Sequence, residues 1–224
     1  MARVYPPRSP SDFEETLWCL GYGRILAIDE VGRGAVAGPI TAAGVVCTER
    51  ILDMSWIDRV RDSKKLSLRV REMVADEVKA ARIPHFISDV SWREIDERGI
   101  EAAWRLAIND VIYQCREAGW CDFILIDGPR CPVCPRYGRE VPWLAAVHGD
   151  AEHVSISLAS IVAKAARDRQ MKEYHRRWPA YNFKGNKGYL TDGHLLALET
   201  HGMSPLHRRS WLAVIRAVKG NAAL

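Results

Sequence analysis

Along the chain the spacing of hydrophobic positions changes several times, and each change marks an element. Apolar residues run almost unbroken through RILAID at 24–29 and ITAAGVVC at 40–47. Short runs of this kind, bounded by glycine, predict buried strands, joined here by the glycine-rich turn EVGRGAVAGP. Helical spacing follows in SLRVREMVADEVKAAR at 67–82, with apolar residues at 70, 73, 74 and 78. A strand is expected around 85–91, then a helix over roughly 99–118 that stops at Gly119, since glycine readily takes the left-handed conformation that closes helices. CDFILIDG at 121–128 reads as a strand delivering Asp127 at its C-terminal end. A strand at 144–148 and a helix at about 157–178 come next, and GHLLALETHG and SWLAVIRAVK predict two more helices. Near the start, Ser11 and Glu14 have capping-box spacing, so 11–20 is expected to be a short helix ending at Gly21.

Strands first clustered and then alternating with helices imply a mixed sheet with helices on its faces, an α/β fold. The expected organisation is a main domain over 1–178 and a C-terminal helical region over 179–224 packed on it. The length of 224 residues, about half of them hydrophobic, suffices for one substantial core.

Composition narrows the function classes. No run approaches the roughly 20 apolar residues of a membrane span, and MARVYPPRSP has no signal-peptide apolar stretch, so the expected location is the cytoplasm with no membrane partner. Six cysteines fit a reducing compartment. Only Cys131 and Cys134 form a CxxC, and no second ligand pair follows to complete a zinc site; a redox pair and plain loop chemistry both remain open. Net charge is only +4, but RDRQMKEYHRRW, NFKGNKGY and HRRSW concentrate base in the second half. That asymmetry suits a polyanion, although a solvated helix face gives the same pattern.

The chemistry lies in the acids. Asp29 and Glu30 end one very apolar strand and Asp127 ends another. Adjacent carboxylates repel each other and are costly to bury, so a bound cation is an economical explanation. Mg²⁺ or Mn²⁺ prefers oxygen ligands, and a pair of such ions can activate water while stabilising the leaving oxygen in phosphodiester hydrolysis. A fourth candidate is Asp168, which helical spacing places near the inward line of Ile161 and Ala165. Singly, each acid reads as well as a cap or an ion-pair partner; together they favour metal binding.

IDEVGRGAVAGP at 28–39, DSKKLS at 62–67, LIDG at 125–128, ASIVAKAARDR at 159–169, NKGYLTDGH at 186–194 and GMSPLHRRSW at 202–211 resemble, in order, the motifs of the ribonuclease HII family. The resemblance implies a ribonuclease H-like fold, with a five-stranded mixed sheet. It carries Asp29, Glu30, Asp127 and Asp168 over as catalytic, metal-binding acids that hold two divalent ions, Mn²⁺ or Mg²⁺. It further implies that the backbone of Gly32, Arg33 and Gly34 reads a ribose 2′-OH at an RNA-to-DNA junction, where glycine lets the main chain approach the sugar. Tyr189 would pack on the deoxyribose beyond that junction. Ser63, Lys64 and Lys65 would lie along the phosphate backbone, with Lys164, His207 and Arg208 supporting or facing phosphate.

The implied substrates are RNA–DNA hybrids and duplex DNA with embedded ribonucleotides, cut on the 5′ side of the ribonucleotide to leave 3′-hydroxyl and 5′-phosphate ends. Monomeric action and a task in ribonucleotide removal are expected. Leu190 stands where the family's KGYGT stretch has glycine, and HGDAEH at 148–153 lacks the lysine common before GDA; both bear on substrate affinity and junction preference rather than on the reaction. Two rivals make different demands. A structure-selective DNA nuclease of the same fold would not need the Gly-Arg-Gly turn, and a non-catalytic nucleic-acid binding module would not retain four acids that repel phosphate.

Overall fold

The alternating apolar runs assemble into one five-stranded sheet. The computed structural model of the chain describes residues 8–130, 132, 141–211 and 216. Strands β1 (Ile25–Val31), β2 (Ile40–Cys47), β3 (His85–Val90), β4 (Phe123–Asp127) and β5 (Trp143–Ala146) lie in the order β3-β2-β1-β4-β5. β1 and β4 are parallel, with Ile25 opposite Phe123 and Ile28 opposite Ile126, and β5 continues parallel beyond β4. The two most apolar runs therefore occupy the interior of the sheet. Their Ile25, Leu26, Ala27, Ile28, Leu125 and Ile126 side chains have no exposed surface, the expected condition of strands covered on both faces.

The helices are α1 (Asp12–Cys19), α2 (Leu68–Ala80), α3 (Trp92–Arg98), α4 (Ile100–Glu117), α5 (Gly149–Glu152), α6 (Val154–Arg177), α7 (Phe183–Asn186) and α8 (Asp192–His201). α2 starts where its cap predicts: the Ser67 hydroxyl accepts from the Val70 N–H. It buries Val74 and Val78, two of the four apolar positions that defined it. α4 packs closely on β2 because Gly44 has no side chain; a Cβ there would stand 2.5 Å from Val111 Cγ1.

Two features come out differently from expectation. The Ser11–Glu14 capping box does not form: the Ser11 hydroxyl donates to Glu15 Oε1 at 2.5 Å, and Glu14 turns inward to accept from the Ser155 N–H at 2.9 Å and the Ser155 hydroxyl. Glu14 thus caps a distant helix rather than its own. α3 was not expected, because its seven residues give too short a periodic pattern; Ser91 caps it, accepting from the Glu94 N–H at 3.3 Å. The last expected helix, at 210–219, falls largely outside the described residues, as do Cys131 and Cys134.

The chain divides into two compact units. Described residues within 1–30, 42–88 and 108–165 form the first, which holds most of the sheet. Those within 31–41, 89–107 and 166–224 form the second. The second unit has its own core of Val36, Ala37, Met171, Tyr181, Phe183, Leu198 and Leu206. Among the described residues, no helix is long and apolar enough to cross a membrane.

Candidate active site

In the first unit, the parallel register of β1 and β4 sets two acids side by side. The ladder's last pair is Ile28 with Ile126, and the next residue on each strand is Asp29 and Asp127. Residues level on neighbouring parallel strands point to the same face, roughly 5 Å apart. Asp29 is buried at 5% exposure, and its Oδ1 accepts from the Glu30 N–H at 2.7 Å. Burial above all pushes its pKa up to about 7 against the ordinary 3.8; the charges of Glu30 and Asp127 push the same way, while Lys164 and a hydrogen bond from Ser160 pull it down. Asp127 is likewise raised, first by burial and then by Asp150, with N–H donors of Gly149 and Gly128 opposing. Its Oδ1 accepts from the Gly149 N–H at 2.8 Å, which brings in Asp150, a carboxylate only 4% exposed.

A polar network surrounds these acids. The Lys164 ammonium donates to Ser160 Oγ at 2.8 Å and to Ser63 Oγ, and the two serine hydroxyls stand 2.8 Å apart. Burial lowers the Lys164 pKa and the Asp29 carboxylate opposes that. Ser63 has no exposed surface, so DSKKLS puts its serine inward. Lys64 reaches Asp150 Oδ2 at 2.9 Å, and Lys65 stands 3.8 Å from Asp62 with most of its side chain in solvent.

The acids are all oxygen donors, and like charges crowd a desolvated carboxylate. A hard divalent cation relieves both the repulsion and the desolvation, so the residues fit Mg²⁺ or Mn²⁺. Among the described residues, no three such side chains stand together as a ready-made cage. An ion here would take its remaining ligands from water or substrate phosphate, the usual state of Mg²⁺ in phosphoryl sites.

The second unit holds the Gly-Arg-Gly turn. Gly32 has φ +89°, and a Cβ on it would lie 2.5 Å from the Arg167 guanidinium carbon. Two buried arginines tie down the turn's carbonyls. Arg208 donates to the carbonyls of Gly32 at 2.7 Å, Arg33 at 3.0 Å, Gly38 at 3.1 Å and Pro39 at 2.9 Å. Arg167 donates to Ala37 at 3.1 Å, to Lys187 at 3.3 Å and to Pro39. Rigid, forked guanidinium donors suit such a task better than an ammonium. The Arg33 side chain turns aside to Glu101 Oε2 at 2.7 Å and lies over the Trp104 ring. Tyr189 is 39% exposed, and its Cε1 stands 3.9 Å from where a Gly34 Cβ would be. The turn and the tyrosine are therefore neighbours.

A sequence model of ribonuclease HII matches residues 26–214. The chain belongs to the ribonuclease HII family. A ribonuclease HII of Caldanaerobacter subterraneus subsp. tengcongensis is 38% identical over 203 residues, which cover 91% of this chain and 80% of the relative. The fold resembles the crystal structure of ribonuclease H2 from Pyrococcus horikoshii OT3, with TM-score 0.70 at 24% identity over 90% of this chain and 100% of that one. It also resembles Bst-RNase HIII solved in complex with Mn²⁺, with TM-score 0.70 at 15% identity over 90% of this chain and 71% of that one.

The first unit brings together Asp29, Glu30 and Asp127, with Ser63, Lys64 and Lys164 around them. Gly32, Arg33, Gly34, Tyr189, His207 and Arg208 belong to the second. Asp168 also belongs to the second unit, 7% exposed and 3.7 Å from the Lys187 ammonium. His207 is 1% exposed and Arg208 has no exposed surface. Sequence reasoning passed over Asp150, Ser160, Arg167 and His194. Asp150 entered the sequence reading only within HGDAEH, which was weighed for its missing lysine. Arg167 adjoins Asp168 in ARDR and read as its ion-pair partner.

Proposed function

We propose that this metal-dependent endoribonuclease of the type 2 ribonuclease H class hydrolyses the RNA strand of RNA–DNA hybrids and nicks duplex DNA on the 5′ side of an embedded ribonucleotide, leaving 3′-hydroxyl and 5′-phosphate ends. The observation that carries the reading is the placement of Asp29 and Asp127 at one level on adjacent parallel strands, with Asp29 buried among like charges. Asp29, Glu30, Asp127 and a fourth acid would hold two divalent ions, Mg²⁺ or Mn²⁺. When bound, these supply an activated water and charge stabilisation of the leaving 3′ oxygen.

For the fourth acid, the geometry supports Asp150, whose charge acts on Asp127 within the same unit; the motif pattern carried Asp168 instead. Lys164 balances the charge of Asp29, and Ser63 and Ser160 fix the direction of its ammonium. Lys64 holds Asp150, and Lys65 is free to swing toward phosphate as a solvated cation. In the second unit, Arg208 anchors the carbonyls of Gly32 and Arg33 while Arg167 holds those of Ala37 and Pro39 just beyond them, so that the backbone of the Gly-Arg-Gly turn is set for a sugar 2′-OH before substrate arrives, while Tyr189 packs on the deoxyribose that follows. His207 and Arg208 support this turn from inside rather than touching phosphate. The biological role that fits is ribonucleotide removal from DNA in the cytoplasm, by a monomer.

The test is a labelled DNA duplex carrying one ribonucleotide, incubated with Mn²⁺, Mg²⁺ or EDTA beside an all-DNA duplex and an RNA–DNA hybrid. Expected is a metal-dependent nick immediately 5′ to the ribonucleotide, absent with all-DNA and lost in Asp29→Asn. Asp150→Asn is expected to lose at least a hundredfold and Asp168→Asn less than tenfold, roughly the difference between removing a metal ligand and a remote acid. The reverse order would restore Asp168 as the fourth ligand. Equal cutting of all-DNA would end the 2′-OH reading.

A further inference from the structure

Two buried histidines lie behind the tyrosine, and their shorter hydrogen bonds set one arrangement of protons, the Ser204 carbonyl standing farther off at 3.4 Å from His207 Nδ1. The Ser204 backbone N–H donates to His207 Nδ1 at 2.9 Å, and the Ser204 hydroxyl stands 2.8 Å from the same atom. A backbone N–H can only donate, so His207 Nδ1 is an acceptor and its proton sits on Nε2. His207 Nε2 lies 3.0 Å from His194 Nε2, which must then accept. His194 in turn carries its proton on Nδ1 and donates it to the Tyr189 carbonyl at 2.8 Å. That carbonyl also accepts from the Thr191 N–H at 3.1 Å, while the Tyr189 N–H donates to the Asn186 carbonyl at 2.9 Å. Tyr181 and Phe183 close over both rings, with Tyr181 4.9 Å from His207 and Phe183 5.5 Å from His194. Both histidines are fully or almost fully buried.

We propose that His194 and His207 are positioning residues: a neutral, tautomer-locked relay running from the Ser204 amide to the Tyr189 carbonyl, which fixes the main chain at Tyr189 and so holds its ring beside Gly34. This rests on the reading of Tyr189 as the residue that packs on the deoxyribose, and it assigns the junction preference partly to a pair that never touches substrate. The two rings and the phenol of Tyr181 are the titratable groups facing one another in this box. A second proton on the pair would set N–H against N–H, and burial already drives both pKa values below the ordinary 6.5. The relay is also robust to the departure at Leu190, because it grips the residue before that position.

Two measurements test it. Nitrogen-15 spectra of the imidazoles in the whole enzyme at pH 7 report the tautomers directly. His207 protonated on Nε2 alone and His194 on Nδ1 alone is the expected result; a proton on His207 Nδ1 would overturn the relay. The second measurement is the ratio of kcat/KM on a single-ribonucleotide duplex to kcat/KM on a long RNA–DNA hybrid. It is expected to fall about fivefold in His194→Phe, the worth of roughly one hydrogen bond, and to return in His194→Asn, whose amide nitrogen stands near the place of Nδ1. An unchanged ratio in folded His194→Phe, or a collapsed ratio in His194→Asn, would refute the proposal. Tyr189→Ala separates the two layers: if it leaves the ratio unchanged, the reading of Tyr189 fails, whereas a ratio that drops in Tyr189→Ala but not in His194→Phe condemns only the relay.

Discussion

Replacing Asp29 by asparagine should stabilise the metal-free enzyme while destroying its activity. The buried carboxyl sits at about 7 rather than 3.8. At about 1.36 kcal/mol for each tenfold change in acidity, keeping it ionised in the fold costs roughly 4 kcal/mol. The sign follows from linkage. Between pH 3.8 and about 7 the folded state holds a proton on Asp29 that the unfolded state has released, so stability declines as pH rises through that window. Asparagine removes the charge and keeps an Oδ1 that can accept from the Glu30 N–H. It loses the attraction to Lys164, so a gain of about 2–4 kcal/mol is expected at pH 8 in EDTA, or very roughly 5–15 °C in Tm for a chain of this size. At pH 5, only slightly above the ordinary 3.8 that the unfolded chain keeps, the penalty is about 1.6 kcal/mol rather than roughly 4, so the gap between the two proteins should shrink by more than half. Calorimetry of both at the two pH values, with EDTA and then with Mn²⁺, makes the comparison. Mn²⁺ should raise the Tm of the wild type more than that of the variant. A variant that is less stable than wild type at pH 8 by the same margin as at pH 5 would refute the argument that a desolvated charge is waiting for a cation.

Arg208→Met strips four carbonyls of a buried guanidinium donor; urea unfolding should show a loss of about 3–5 kcal/mol, with Arg208→Lys recovering little of it, and a loss below 1 kcal/mol would contradict the anchoring role. Gly32→Ala meets both a left-handed backbone and the Arg167 guanidinium at 2.5 Å, so it should cost at least about 1–3 kcal/mol and abolish single-ribonucleotide nicking, checked by the same melts and by the nicking assay. His207, pushed down to about 4 first by burial and then by His194, contributes stability that is complete above pH 6.5 and lost as pH falls toward 4, about 3 kcal/mol in all. Urea midpoints on an Asp29→Asn background, where the largest opposing titration is gone, should show this slope, and His207→Asn should reduce it, His194, also pushed down by burial, keeping a remainder.

The elements that carry the candidate acids were legible because their signal is local. RILAID and FILID are apolar runs whose ends are marked by acids, and the strands formed there, with Asp127 closing β4 and Asp29 two residues before the end of β1. What was not legible depends on pairing between distant segments. Nothing in the spacing says that β1 and β4 are in register, which is what sets Asp29 beside Asp127. Glu14 was read as half of a local capping box, but tertiary packing gave it Ser155, 141 positions away, as a stronger partner. Asp150 was hidden because it lies between the expected strand at 144–148 and the expected helix from about 157, and only the fold brings its charge onto Asp127. Arg208 was expected either to support the site or to face phosphate, and only burial shows that its charge faces backbone carbonyls.

The most direct test of the account is to locate the metal. Crystals of the enzyme with Mn²⁺ and a ribonucleotide-containing duplex, in the slow-cutting Asp127→Asn form, would be measured for anomalous scattering at the manganese edge. The account predicts a manganese peak within coordination distance of the Asp29 carboxylate, with Asp150 as a further ligand. Manganese bound by Asp168, or found only away from Asp29, would contradict it.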